Sequence, residues 1–225
     1  MLYKEILVLI EIYSDVICPW CFIGKQRLDR VLASDLGNGI DLIWRPYQLY
    51  PHVPPEGLDR DEFFRAQYGE KANPKKVPNA IQKDGELVGI EFNYGAIQKI
   101  PNTLLAHRLL LYVEEPPLQH ELAERLFRMY FCEGGDVGNI EQLVNAAVQV
   151  GLDGKLVRQY LHSELGYAQT LRDIDKGSTI GVAGVPCYRI GGMFLLAGAQ
   201  PTDTIVQYIE RTKRRLDRKT TTSPV

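Results

Sequence analysis

"SDVICPWCFIGKQRLDRVL", residues 14–32, places Cys18 and Cys21 with two residues between them, where an apolar run gives way to a helical pattern. The run before it, 5–14, is rich in Ile, Val and Tyr and reads as a buried strand. The stretch after it, 19–33, reads as a helix with Trp20, Ile23, Leu28, Val31 and Leu32 on its apolar side. Pro19 suits the first turn of that helix, where its missing N–H would have no partner anyway. Cys18 therefore belongs at the helix N-terminus, where unpaired N–H groups and the macrodipole favour an anion. The anionic thiolate is the nucleophilic form of a cysteine. Cys21, one turn on, is better shielded yet within reach of a mixed disulfide on Cys18.

Three readings of the pair follow: a redox dithiol, half of a metal site, or two inert core residues. A structural zinc site asks for a second cysteine pair or closely spaced histidines. Here Cys132 and Cys187 stand alone, and His52, His107, His120 and His162 are scattered. The inert reading gives no account of the Pro19-Trp20 spacer or of the helix start. In the redox reading Cys18 attacks and Cys21 resolves.

The rest of the composition narrows the class. The 225 residues carry a formal net charge of -2, which makes no electrostatic case for nucleic acid or an anionic membrane. The basic run "RTKRRLDRK" reads as a solvated helix end before the loose "TTTSPV". The opening "MLYKEILVLIEIY" is interrupted by Glu11 and is not followed by a small-residue cleavage site before the cysteines. No other stretch approaches the roughly 20 apolar residues that span a bilayer. A cytoplasmic setting is expected, and in a reducing compartment a close cysteine pair points to catalysis or metal binding rather than a permanent staple. No Gly-rich phosphate loop follows a strand, and the glycine pairs at 134–135 and 191–192 fit turns.

Along the chain, 40–49 reads as a second strand, and a helical region runs from about 51 to 170. Helices are expected near 61–68, 101–113, 118–131, 139–150 and 154–163, with Asp59 as an N-cap for the first. The repeats of Leu118, Leu122 and Leu126, and of Ile140, Leu143, Val144 and Ala147, are core stripes. A helix over about 168–180 then leads to the strand "GVPCYRI", the turn "GGM", the strand "FLLAGA" and a last helix over about 201–215.

Five stretches, "YSDVICPWCFIG", "IDLIWRPYQL", "IPNTLLAHRLL", "LFRMYFCEGGDVG" and "GVAGVPCYRIGGMFLLAGAQP", cover nearly the whole chain and together resemble the DsbA-like branch of the thioredoxin superfamily. Within it the match is nearest to the FrnE-type subfamily of dithiol–disulfide oxidoreductases. The resemblance implies an α/β, thioredoxin-like fold with a large α-helical insertion. The thioredoxin-like domain would comprise 1–50 and 168–217, the inserted helical domain 51–167, and a flexible tail 218–225. It also implies that Pro186 is a cis proline lying against the dithiol, with the backbone of Val185 placed to pair with an extended substrate. Cys187, directly after it, is a departure from the pattern; it is expected to pack as a small apolar group, and it would form an off-pathway disulfide only if it faced Cys18.

The insertion is expected to cap the dithiol and shape a groove, which Trp20, Asn102 and His107 would line. The plainer readings make Asn102 an N-cap and put His107 on an ordinary helix surface. Asp15, three residues before Cys18, either modulates the thiolate or caps the helix. The function expected is thiol–disulfide exchange on a disulfide-bearing protein or a small thiol, with no bound cofactor, no metal, and glutathione as redox partner or cosubstrate. Two alternatives stand beside it. One is a glutathione-dependent isomerase or transferase of the kappa-class or hydroxychromene-carboxylate isomerase type, against which the second cysteine argues. The other is a redox-responsive holdase.

Overall fold

A computed structural model describes residues 7–221, with side chains to residue 218. Strand β1 (Val8–Ser14) leads to helix α1 (Pro19–Leu32) and then to β2 (Ile40–Pro46), which lies parallel to β1 from Val8 beside Ile40 to Ser14 beside Pro46. Strands β5 (Cys187–Ile190) and β6 (Phe194–Ala197) form an antiparallel hairpin on the other side of β1, giving the order β2-β1-β5-β6. The hairpin turns through Gly191 and Gly192, at φ 58° and 69°, a backbone region that favours glycine. The strand expected over 5–14 is present from Val8; residues 5 and 6 lie outside the described residues.

Because side chains alternate along a strand, β1 serves two faces. Ile10 and Ile12, with Tyr188 and Ile190 beside them, are buried on the face covered by α1 and the last helix, α9 (Thr202–Thr221). Glu11 and Tyr13 point the other way. Glu11, 5% exposed, is held by Arg45 at 2.9 Å and Arg189 at 2.8 Å. Tyr13 lies against α8 (Tyr167–Thr179), where a Cβ on Gly177 would stand 3.2 Å from its ring.

Between β2 and α8 the chain forms β3 (Leu58–Asp59), α2 (Arg60–Tyr68), α3 (Asn79–Leu87), β4 (Lys99–Ile100), α4 (Leu104–Tyr112), α5 (Pro116–Phe131), α6 (Ile140–Gln149) and α7 (Gly154–His162). Asp59 caps α2 by accepting from the Glu62 N–H, as the sequence suggests. One apolar core runs from β1 and α1 into α5, α6 and α7 without interruption. At its centre Phe22 of α1 stacks on Phe127 of α5, with centroids 5.2 Å apart and planes 6° from parallel. Beside it, the buried Lys25 bridges Asp29 at 2.6 Å and Glu124 at 2.9 Å, and His120 reaches Asp29 at 2.6 Å.

Several elements differ from expectation. β2 stops at Pro46 instead of continuing to 49, because the Leu49 N–H is taken by the Asp15 carboxylate. α4 starts at Leu104 instead of 101, since the Asn102 side chain accepts from the Leu104 N–H. α3 and the two-residue pair β3–β4 were not expected at all. α9 continues to Thr221 rather than ending near 215; residues 222–225 of the expected tail lie outside the described residues. No helix among the described residues is long and apolar enough to cross a membrane.

Candidate active site

Cys18 is the N-cap residue of α1, in extended conformation, and Pro19 is the first helical residue. A tight turn sets it there: the Cys18 N–H donates to the Asp15 carbonyl, and the Cys18 carbonyl accepts from Cys21 N–H at 3.0 Å. The thiol points across to the hairpin, where it donates to the Val185 carbonyl at 3.7 Å. The Val185–Pro186 peptide is cis. Cys18 is 4% exposed and Cys21 1%, and both are free thiols. Burial, followed by the neighbouring Cys18, pushes the Cys21 thiol well above its usual range, while the Ser14 hydroxyl and the Asp15 backbone partly offset this.

Asp15 is fully buried behind the pair. One carboxylate oxygen accepts from Leu49 N–H at 2.7 Å; the other accepts from Ile17 N–H and lies 3.5 Å from Nε2 of His107. It therefore ties the turn before Cys18 to the chain after β2 and to α4. It does not cap α1: no side chain bonds the helix's first N–H groups, because the carboxylate faces inward from the turn. His107 is not on an ordinary helix surface. It is 2% exposed on α4, and its Nε2 has no hydrogen bond of good geometry. Asn102 is half-buried and spans two segments, donating to the Val53 carbonyl at 2.6 Å and accepting from Leu104 N–H at 3.0 Å. Pro19 and Trp20 are half-buried at the helix start.

Cys187 does not face Cys18. It sits beside Tyr13 on the opposite sheet face, packed with Val182, and burial raises its thiol. Cys132 is the half-buried C-cap of α5, its thiol likewise raised by burial. Among the described residues no three His, Cys, Asp or Glu side chains gather as metal ligands.

One residue that seats the pair, Gly24, carried little signal in the sequence. Gly24 lets α1 lie directly on the hairpin: a Cβ there would overlap the Tyr188 hydroxyl and come within 3.2 Å of Pro186. A glycine inside an otherwise regular helical pattern is the one hint of such an approach. Beside Ile17 and Pro19 the molecule also contains a cavity of about 480 Å³, lined by Arg60 and several tyrosines that were not among the expected site residues.

A model of the DSBA-like thioredoxin domain matches residues 9–210. The uncharacterized protein YwbO of Bacillus subtilis is 27% identical over 212 residues, covering 92% of this chain and 98% of that protein. The crystal structure of a probable DsbA oxidoreductase from Streptomyces coelicolor superposes with a TM-score of 0.80 at 23% identity, over 97% of this chain and 92% of the other. The cytosolic disulfide reductase DsbM from Pseudomonas aeruginosa, solved with GSH, gives a TM-score of 0.60 at 16% identity over 93% of this chain and 99% of that one. With a strand–turn–helix dithiol, a cis proline facing it and a family match across nearly its whole length, this chain belongs to the DSBA-like thioredoxin domain family of disulfide oxidoreductases.

Proposed function

We propose that this chain is a FrnE-type thiol–disulfide oxidoreductase in which Cys18 attacks a substrate disulfide and Cys21 resolves the product. The asymmetry of the pair carries the reading: Cys18 opens α1 with its sulfur 3.7 Å from the Val185 carbonyl, while Cys21 lies one turn deeper. The Cys18 thiolate forms a bond to one substrate sulfur, and the other leaves as a thiolate that takes up a proton. Cys21 then gives up its proton and attacks the Cys18 sulfur, releasing the second substrate thiolate. Two electrons pass to the substrate; the protein keeps a Cys18–Cys21 disulfide and the substrate becomes two thiols.

The raised Cys21 thiol fits the second role. After burial, the group that raises it is Cys18, through a hydrogen bond and through charge. Both influences change once the Cys18 sulfur is committed to a mixed disulfide, so the second attacker becomes available after the first bond exists. In this reading the Val185 backbone pairs with the substrate, Trp20 offers it an aromatic surface and Pro19 fixes the helix start. Pro186 keeps a backbone N–H away from the sulfurs. Asp15 and His107 modulate the dithiol from behind, and Asn102 holds the segment that closes over it. A cytoplasmic setting, net reduction and glutathione as redox partner are part of the proposal, supported by the likeness to a cytosolic reductase solved with GSH.

The test is mass mapping across glutathione redox buffers together with two variants. Cys18→Ser should abolish disulfide reduction, and Cys21→Ser should accumulate a mixed disulfide on Cys18. A pair that never forms a disulfide, with Cys18 only glutathionylated, would sink the dithiol mechanism.

A further inference from the structure

The cavity beside the dithiol has a chemical character of its own. Ile17 and Pro19, the residues flanking Cys18, form one side of it, and Tyr50, Phe64, Tyr94 and Tyr130 supply an aromatic lining. Its volume of about 480 Å³ lies in the range of small-molecule sites. It reaches the surface at Tyr68, Asn73 and Lys76, which are exposed. Among the described residues the only charged side chains in its lining are Arg60 and Lys76, and no carboxylate lines it.

Arg60 is the unusual member. It is 4% exposed, and no Asp or Glu among the described residues lies within ion-pair distance of it. One guanidinium N–H donates to the Tyr94 carbonyl at 2.8 Å, and the group lies 5.1 Å and 4.8 Å from the Phe64 and Tyr94 ring centres. Ring faces and one carbonyl only partly replace water around a cation. Nε has no acceptor. The position is held from the backbone, since Arg60 N–H donates to the Gln98 carbonyl at the end of the β3–β4 pair. Also in the lining, Tyr50 has its hydroxyl pushed up to about 12 by burial and then by the neighbouring Tyr68, so it stays a neutral donor at physiological pH.

We propose that this cavity binds a small apolar molecule carrying a carboxylate, which Arg60 anchors, and that the substrate of the dithiol is a low-molecular-weight disulfide bearing such a group. The first half stands on the cavity alone; the second rests on the proposed dithiol chemistry. With the carboxylate on Arg60, the body of the ligand lies along the aromatic lining toward Pro19, which directs its sulfur to Cys18. One turnover of the reduced protein converts the disulfide to two thiols and leaves the Cys18–Cys21 bridge; an external thiol reduces that bridge again.

Binding is measured first, by calorimetry, with naphthoate and its uncharged analogue naphthamide as probes. Wild-type protein should bind naphthoate about tenfold tighter or better, the scale of a charge-assisted hydrogen bond. Arg60→Gln should abolish the difference, Lys76→Gln should keep most of it, and Cys18→Ser should bind like the wild type. The comparison of the two probes on wild-type protein needs no variant, so it decides even if Arg60→Gln fails to fold. Equal affinities, or no binding of naphthoate, would overturn the site. Single-turnover reduction then compares the disulfide of thionitrobenzoate with uncharged dithiodipyridine, each normalised to its rate with free cysteine. A preference for the carboxylate disulfide that Arg60→Gln removes supports the substrate class; no preference overturns it while leaving the site standing. Reduction undiminished in Cys18→Ser would overturn the dithiol chemistry, and with it the substrate half, without touching the binding result.

Discussion

Removing the Asp15 carboxylate strands two backbone donors at once, the N–H groups of Ile17 and Leu49. Each buried donor left without a partner costs about 1–3 kcal/mol. We expect Asp15→Ala to lose about 2–4 kcal/mol in denaturant unfolding, whereas Asp15→Asn, which retains one acceptor oxygen, should lose less. An unchanged midpoint in the alanine variant would show that the carboxylate does not hold the turn. The sequence places Asp15 three residues before Cys18 but says nothing of its partners, since Leu49 and His107 lie far along the chain. For the same reason His107 reads as a groove or surface residue when taken alone. Arg60 is different, because the local sequence does carry a warning: a cation at the first position of a helix opposes the macrodipole, and acidic residues are the usual choice there.

Among the elements, the contact of α1 with the β5 hairpin decides how the dithiol meets Pro186. Gly24 makes the close approach there, with the Tyr188 hydroxyl and the Pro186 ring filling the space of a side chain. Gly24→Ala should therefore push α1 off the hairpin. We expect a loss of about 1–3 kcal/mol, as for overpacked cores, and slower disulfide reduction from the shifted sulfur; full stability with full activity would refute the packing argument. Helices with strong apolar stripes, such as α5 and α6, were legible because each buries a continuous face in the core. α3 was not, because "NAIQKDGEL" buries only Ile81 and Gly85, and Gly85 does so by meeting the Phe92 ring. Two buried positions in nine residues, one of them a glycine, leave no apolar stripe to read.

Across the molecule, one core joins the segments on either side of the long helical stretch, and its polar atoms include several phenols. Burial pushes the hydroxyls of Tyr94, Tyr130 and Tyr188 far above their ordinary value of 10.0. A raised acid favours the folded state while it remains protonated. That contribution is complete below 10.0 and declines as the pH rises beyond it, because the unfolded chain ionises first. Thermal unfolding should thus show little tyrosine-dependent change up to about pH 9 and then a falling midpoint, with a slope of up to about 1.4 kcal/mol per pH unit for each phenol. Tyr130→Phe should flatten the decline. A flat profile to pH 12 would show that these phenols are better solvated than their burial implies.

The positions of the two tryptophans have an optical consequence. Trp20 is half-buried at the second residue of α1, between the two sulfurs in sequence. Trp44 is 2% exposed, and its indole N–H donates to His120 at 3.2 Å, on the α5 side of the core. Thiolates and disulfides quench a nearby excited indole, while one locked in the interior is indifferent to them. The emission of this protein should then separate into a constant signal from Trp44 and a variable one from Trp20, so that the electron count of the sulfur pair can be followed by light without any added dye.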